Sequence, residues 1–251
     1  MKKQLLLSLN KLCVSILDKP ILYDIDLDIA AGSIHAMMGP NGSGKSSLAS
    51  ALIGNPSYTI NTGNAYLLGK DLLSMPIHER ARNGLFLAFQ HPYEIPGVSV
   101  ISFLREAYNA IKNTSISISD FHTLLKQYCI VLKIDDSFLN RGLNVGFSGG
   151  EKKRLEILQL LLLQPKIAIL DEIDSGLDID SLKIIASGIE YARKENPSLA
   201  LILITHYQRI LNYIEPEYVH IIQNGRIILS GDKNLASILE AKGYHGLTNT
   251  I

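Results

Sequence analysis

The sequence predicts an α/β fold with a mixed sheet core, an N-terminal antiparallel β region and an α-helical subdomain inserted in the core. Three observations predict it. Gly39-Pro40-Asn41-Gly42-Ser43-Gly44-Lys45-Ser46 fits the phosphate-binding pattern G-x-x-x-x-G-K-[ST] and lies between an apolar run and a helix-like segment. Ile167-Ala168-Ile169-Leu170-Asp171-Glu172 is an apolar run ending in two carboxylates, as in a buried parallel strand whose carboxyl end meets a ligand. Between these two segments, residues 91–163 change to the longer apolar spacing of helices.

The elements follow in order. Residues 4–38 alternate or run apolar, with turns at Lys19-Pro20 and Ala31-Gly32, and read as three strands ending at the phosphate loop. Ser47-Leu48-Ala49-Ser50-Ala51-Leu52-Ile53 reads as the helix after the loop. Residues 63–69 and 84–90 read as strands, each bounded by glycine or a turn. Residues 101–108 and 121–128 exemplify the helical insertion. Sheet character returns at residues 166–171, 199–205, 218–223 and 226–230, and helices are expected over 181–195, 208–213 and 233–242. With no repeat, low-complexity tract or linker, residues 1–251 are expected to form one domain, its helical subdomain at about 91–163.

Composition limits the function classes. The 251 residues are 47% hydrophobic and 19% charged, enough for one substantial core. Formal net charge is zero, so no global basic field argues for nucleic acid or an anionic membrane. The longest apolar runs, such as residues 160–163 and 199–204, are much shorter than a bilayer-spanning helix. Met1-Lys2-Lys3 and the apolar residues after it imitate a signal peptide, but the run ends at Asn10-Lys11 without a small-residue cleavage site, and a first strand explains it better. Cys13 and Cys129 are in no metal-ligand spacing and read as reduced thiols of a cytosolic protein. No histidine pairs with another at i+3 or i+4, so a structural metal site is not expected.

The phosphate loop and the acidic strand end suggest a chemistry. Glycine is needed where the backbone bends tightly, so that main-chain N–H groups and a helix N-terminus face the anion. Lys45 adds a movable positive charge, Asp171 would help to hold Mg²⁺ through its water shell, and the Ser46 hydroxyl would be a direct ligand. Glu172 would orient and polarise the attacking water. Taken alone, an Asp-Glu pair at a strand end reads as a turn or a cap; the loop upstream reverses that reading.

Six motifs in order carry a resemblance to the ATP-binding-cassette family of P-loop NTPases that covers essentially the whole chain. Gly39 to Ser46 resembles its Walker A loop, Gln90 its Q-loop and Phe147-Ser148-Gly149-Gly150-Glu151 its signature. Ile167 to Glu172 resembles Walker B, Ser175-Gly176-Leu177-Asp178 the D-loop and His206 the H-loop. The resemblance implies an ATPase with ATP and Mg²⁺ as cofactors. It implies catalytic roles for Glu172, His206 and Lys45, and nucleotide contacts from Gly39, Pro40, Asn41, Gly42, Ser43, Gly44, Lys45, Ser46, Ser47, Gln90, Ser148, Gly149 and Gly150. Ser46, Gln90 and Asp171 are the implied metal residues. Gln90 would couple nucleotide state to subdomain rotation, and His206 would contact the γ-phosphate. Ser148-Gly149-Gly150 would open a second anion-binding helix end that caps ATP held by another subunit, so two cassettes would meet head to tail. For at least two of Lys152, Lys153 and Arg154 a solvated helix face is the expected role. Ile16 stands where many cassettes carry an aromatic ring for adenine, so GTP would be less firmly excluded than in those cassettes.

The flanks narrow the job. His91-Pro92-Tyr93-Glu94-Ile95-Pro96-Gly97-Val98, Phe147 to Arg154, Asp171 to Asp180 and Thr205 to Leu211 look like the SufC group of cassettes, the ATPases of SUF iron-sulfur cluster assembly. A transporter cassette more often has Leu for Phe147, Gln for Glu151 and Pro for Ile173; the chain departs from the SufC pattern at Ile173, where Ser is usual. This resemblance implies SufB and SufD scaffold partners, ATP-dependent pairing of two cassettes and a cytoplasmic location. Because the Tyr93 to Val98 loop follows Gln90 and carries exposed-looking apolar residues, it and the adjoining helices are the expected docking surface, the alternative being that the loop packs the helical subdomain. Two alternatives are the ATP-binding subunit of a membrane transporter and a module that binds ATP without turnover. Intact Lys45, Asp171, Glu172 and His206 argue against the second.

Overall fold

The computed structural model describes residues 3–206 and 208–247. Two long strands, β1 (Leu5–Ile16) and β2 (Lys19–Ala30), form a hairpin whose turn is Leu17-Asp18, both left-handed at φ 46° and 62°. The turn expected at Lys19-Pro20 therefore comes two residues earlier, and Pro20 lies in β2 opposite Ser15. An outer strand tolerates the missing N–H: with β4 (Tyr58–Leu67) and β5 (Lys70–Asp71) the small sheet runs β2-β1-β4-β5.

The central sheet contains β3 (Ile34–Met38), β6 (Leu85–Ala88), β9 (Ile167–Asp171), β10 (Ala200–Ile204), β11 (Tyr218–Gln223) and β12 (Arg226–Gly231), in the order β12-β11-β3-β10-β9-β6. All neighbours are parallel except β12, which returns antiparallel to β11. Every residue of β3, β6, β9 and β10 is buried, which is why these strands read as continuous apolar runs.

Two cores result, because successive strand residues face opposite ways. Met37, Ile169 and Ile202 pack toward α1 (Lys45–Ile53) and the antiparallel sheet. Met38, Leu170 and Leu203 face a core shared with α3 (Val100–Lys112), α4 (Ile118–Leu132), α6 (Gly149–Leu163) and α7 (Ile179–Glu195). Helices α4, α6 and α7 meet at Gly188, where a Cβ would lie 2.6 Å from Ile157 Cγ2 and Leu132 Cδ2. Only glycine permits that approach.

Several elements differ from expectation. A short helix α2 (Ile77–Arg82) and the single turn α5 (Asp136–Leu139) lack an apolar stripe long enough to read. The expected loop at 93–98 instead contributes β7 (Ile95–Ser99), paired with β8 (Gly142–Leu143), its register broken between the pairs Ile95–Leu143 and Ser99–Gly142. Of the helix expected at 208–213 only a 3-10 turn at Ile210–Asn212 forms; Tyr207 lies outside the described residues. Among the described residues the last helical segment is α8 (Asn234–Leu247), kinked where Gly243 leaves the helical conformation at φ 66°.

Arg80 of α2 is buried and ties α2 to the C-terminal end of α1. It donates through Nε to the Met75 carbonyl (2.9 Å) and through Nη1 to the carbonyls of Ala51 (3.1 Å), which also accepts the Gly54 N–H, and Leu52 (2.7 Å) at the end of α1. Arg80→Leu is expected to cost about 2–3 kcal/mol in urea unfolding, since it leaves buried carbonyls without donors. Unchanged stability would refute this capping role.

Candidate active site

Four neighbouring parallel strands deliver the site from their carboxyl ends. In sheet order, β3 runs into the phosphate loop, β10 precedes His206, β9 ends in Asp171 and Glu172, and β6 precedes Gln90. Gln90 stands two residues beyond the end of β6 and does not itself end the strand.

The loop closes on its own lysine. Gly44 precedes α1 at φ 109°, where a Cβ would also lie 2.6 Å from Leu22 Cδ2, so glycine is required on both counts. Lys45 is buried and donates from Nζ to the carbonyls of Gly39 (2.8 Å) and Pro40 (3.0 Å). Burial draws its pKa below the usual lysine value, against the opposing pull of Glu172 and Asp171. The Ser46 hydroxyl donates to Asp171 Oδ1 at 3.0 Å, and burial holds the Asp171 carboxyl above its ordinary range despite that bond.

Glu172 is the hub of the site. It is buried and left-handed at φ 47°, its N–H bonded to the Ile204 carbonyl at 2.9 Å. Gln90 Nε2 donates to Glu172 Oε2 at 2.5 Å, and His206 Nδ1 lies 3.5 Å from Oε1. Asn41 to Ser47, Gln90, Glu172, Ser175 and His206 line one cavity of about 470 Å³. The predicted residues Asn41 to Ser47, Gln90, Glu172 and His206 are thus together, with Asp171 joined through its bond to Ser46; Gly39 and Pro40 lie behind the lining, under the Lys45 ammonium. Ser148, Gly149 and Gly150 do not line this cavity.

The signature residues begin α6 instead. Ser148 Oγ accepts the Glu151 N–H (3.2 Å) while the Glu151 carboxylate accepts the Ser148 N–H (2.7 Å), a reciprocal capping box. Ser148 and Gly149 are exposed, and nothing lies within 4 Å of the place a Gly149 Cβ would take.

In the charged run after the signature, Lys152 and Arg154 are partly exposed and the remaining cation is carried inward. Lys152 bonds Glu94 at 3.1 Å and Arg154 Nη1 donates to the Lys133 carbonyl at 3.4 Å, but Lys153 is buried, not solvated. Its Nζ donates to the carbonyls of Phe89 (3.3 Å) and Gln90 (3.0 Å), and burial lowers its pKa. One turn on, Glu156 Oε2 accepts the Phe89 N–H at 3.0 Å, and burial pushes that carboxyl up to about 7. Sequence reasoning missed both residues as supports of the Gln90 segment. The available signal was spacing, since Lys153, Glu156, Ile157 and Leu160 share one helix face. Asp174, which accepts from the Thr205 hydroxyl at 2.9 Å and braces the β9 and β10 ends, was also missed.

Comparison with known proteins gives the family. The family model described as "ABC transporter" matches residues 22–175. The chain is 48% identical to the "Probable ATP-dependent transporter SufC" of Escherichia coli, over 97% of this chain and 99% of that protein. It is 50% identical to the "Probable ATP-dependent transporter ycf16" of Cyanophora paradoxa, over 98% and 96% respectively. A solved dimeric cassette, MJ0796 with ADP and Pi, superposes with TM-score 0.79 at 17% identity, over 90% of this chain and 98% of that one. Among the described residues no helix is long and apolar enough to cross a membrane. The chain belongs to the ATP-binding-cassette family, as a nucleotide-binding ATPase of its SufC group.

Proposed function

We propose that this chain is the ATP-hydrolysing subunit of the SUF iron-sulfur cluster assembly machinery, acting in the cytoplasm as a head-to-tail pair on a SufB-SufD scaffold. One observation carries the pairing. The signature end of α6 is exposed and outside the chain's own nucleotide cavity, with open space at Gly149, so its anion-binding groups are available to a second subunit. Each nucleotide would then lie between the phosphate loop of one chain and Ser148-Gly149-Gly150 of the other.

Within the cavity, Lys45 would exchange its bonds to the Gly39 and Pro40 carbonyls for phosphate oxygens. Asp171 and the Ser46 hydroxyl supply hard oxygen donors side by side, with the Gln90 amide nearby, and so fit Mg²⁺. When bound, Mg²⁺ would neutralise phosphate charge. Glu172 would orient water for attack, with Gln90 bonded to one carboxylate oxygen and His206 Nδ1 3.5 Å from the other. Lys153 and Glu156 hold the Gln90 segment against α6, so nucleotide-dependent motion of Gln90 would move the α3–α6 subdomain.

The scaffold would dock beside that segment. Tyr93 is 84% exposed and Ile95 43%, an unusual exposure for apolar residues held in place, Ile95 by β7–β8 pairing and Tyr93 by the Asn144 amide that donates to its carbonyl at 2.8 Å. Affinity purification from native cells tests the assignment: soluble SufB and SufD are expected, and a multispanning permease would assign the chain to transport. Tyr93→Ala with Ile95→Ala is expected to abolish SufB–SufD capture in a pull-down, with ATP binding retained. Undiminished capture would place the docking surface elsewhere.

A further inference from the structure

The N-terminal end of α6 carries a contradiction. An end suited to a phosphate also holds the Glu151 carboxylate, whose negative charge would oppose the approach of an anion. Arg141 answers it. Its Nη1 donates to Glu151 Oε1 at 2.5 Å and its Nη2 to the Gly146 carbonyl at 3.0 Å. The guanidinium also lies 4.2 Å from the Phe147 ring centroid, a stacked placement that fixes it against the residue before Ser148. Its own backbone is fixed too, since the Arg141 carbonyl accepts the Val100 N–H at 3.0 Å where α3 begins. Burial would raise the Glu151 carboxyl, but the Ser148 N–H and Arg141 outweigh it and hold the group below the ordinary range, so it is ionised and needs a counter-charge.

We propose that Arg141 is a positioning residue for the reaction: by neutralising Glu151 and gripping the Gly146-Phe147 turn, it keeps the Ser148 end of α6 fit to receive the phosphate of a partner subunit's nucleotide. This rests on the reading that Ser148 serves the partner's nucleotide. The Ser148–Glu151 capping box does not need Arg141, because Glu is favourable in a first helical turn. Removing Arg141 therefore leaves the helix capped and the anion end spoiled. The consequence is a reversal between two variants. Arg141→Ala leaves a bare carboxylate at the site and impairs the reaction, whereas adding Glu151→Gln removes that charge, keeps an acceptor for the Ser148 N–H, and restores it.

The test is ATP hydrolysis by Arg141→Ala, Glu151→Gln and the double variant, each beside binding of a fluorescent ATP analogue to the single chain. Arg141→Ala is expected to lower kcat/KM about tenfold, equivalent to one like-charge contact in a partly solvated site. Analogue binding, made by the phosphate loop, stays unchanged. The double variant is expected within about threefold of Glu151→Gln alone. Equal impairment of Arg141→Ala and the double variant would reduce Arg141 to packing on Phe147, and normal turnover of Arg141→Ala would also overturn the proposal. Ser148→Arg is the separate control on the underlying reading. If that variant, folded by circular dichroism, hydrolyses ATP normally, Ser148 does not face a partner's nucleotide, whatever Arg141 does.

Discussion

Glu172→Gln is expected to bind nucleotide as the native chain does and to hydrolyse ATP about a hundred- to a thousandfold more slowly, the range for losing one preorganised electrostatic group. The substitution is nearly isosteric, and the structure indicates what it leaves intact. Gln90 Nε2 donates to Oε2, an oxygen that a glutamine side chain can still present. The backbone of residue 172 is held by its bond to Ile204, so the side chain starts from the same place. Lys45, Ser46 and the loop amides, which would bind phosphate, do not depend on the charge of residue 172. What goes is the carboxylate that would polarise water and stabilise the charge developing on it. Phosphate release measured beside fluorescent-nucleotide binding separates the two effects. Turnover within a factor of about five of the native chain would remove Glu172 from the mechanism.

Much of this site could be read before folding because its parts are local. A phosphate loop needs glycines at fixed offsets, and a parallel strand buried on both faces is apolar throughout, so residues 39–46 and 167–172 announce themselves. The order of those segments, with Gln90, Ser148 and His206 between and after them, supplied the family. What stayed hidden depends on tertiary context. Lys153 sits in a run of three cations, and charge is ordinarily a sign of solvent; here α6 is covered on nearly all sides, so one lysine of the three is carried inward beneath residues 89 and 90. Residues 93–98 read as loop, yet an irregular pair of short strands needs regular bonding only at its ends, so β7 can carry Pro96 and Gly97. The hairpin turn was placed at Lys19-Pro20 because proline punctuates chains, whereas the left-handed pair Leu17-Asp18 bears no such mark. Arg141 and Glu151 are ten residues apart, and nothing in their spacing says that a loop folds one onto the other.

A second pairing invisible in sequence predicts a large dependence of stability on acid. His35 of β3 and His220 of β11 are separated by 185 residues and buried side by side, with Nδ1 of the first 2.9 Å from Nε2 of the second. Their tautomers follow from the ends of the chain of bonds. The Ser33 hydroxyl gives its only proton to the Ala30 carbonyl at 2.7 Å, so it accepts from His35 Nε2–H at 2.9 Å. His35 Nδ1 must then accept from His220 Nε2–H, and His220 Nδ1, 2.8 Å from Ser230 Oγ, accepts the serine proton. Each donor is used once, and a proton added to His35 Nδ1 would meet another N–H. Burial, reinforced by the neighbouring His220 and Lys3, lowers the His35 pKa to about 3, and burial lowers that of His220 to about 4, where Ser230 can turn to accept. Both folded values lie below the unfolded value of about 6.5, so the unfolded chain binds protons first. Stability from this pair is complete above about pH 6.5 and is lost as the pH falls toward 4 and 3. At pH 5 both rings are still neutral in the fold, so the loss is set by the unfolded value alone, about 2 kcal/mol for each ring and about 4 kcal/mol together. Urea unfolding at pH 7 and pH 5 should show that drop, and replacing both histidines with asparagine should remove about 4 kcal/mol from the pH-dependent difference whatever it does to stability at pH 7. Imidazole nitrogen shifts in the folded protein give the direct check: a ring at position 35 or 220 that titrates near pH 6.5 would mean that the chain of bonds does not hold it neutral.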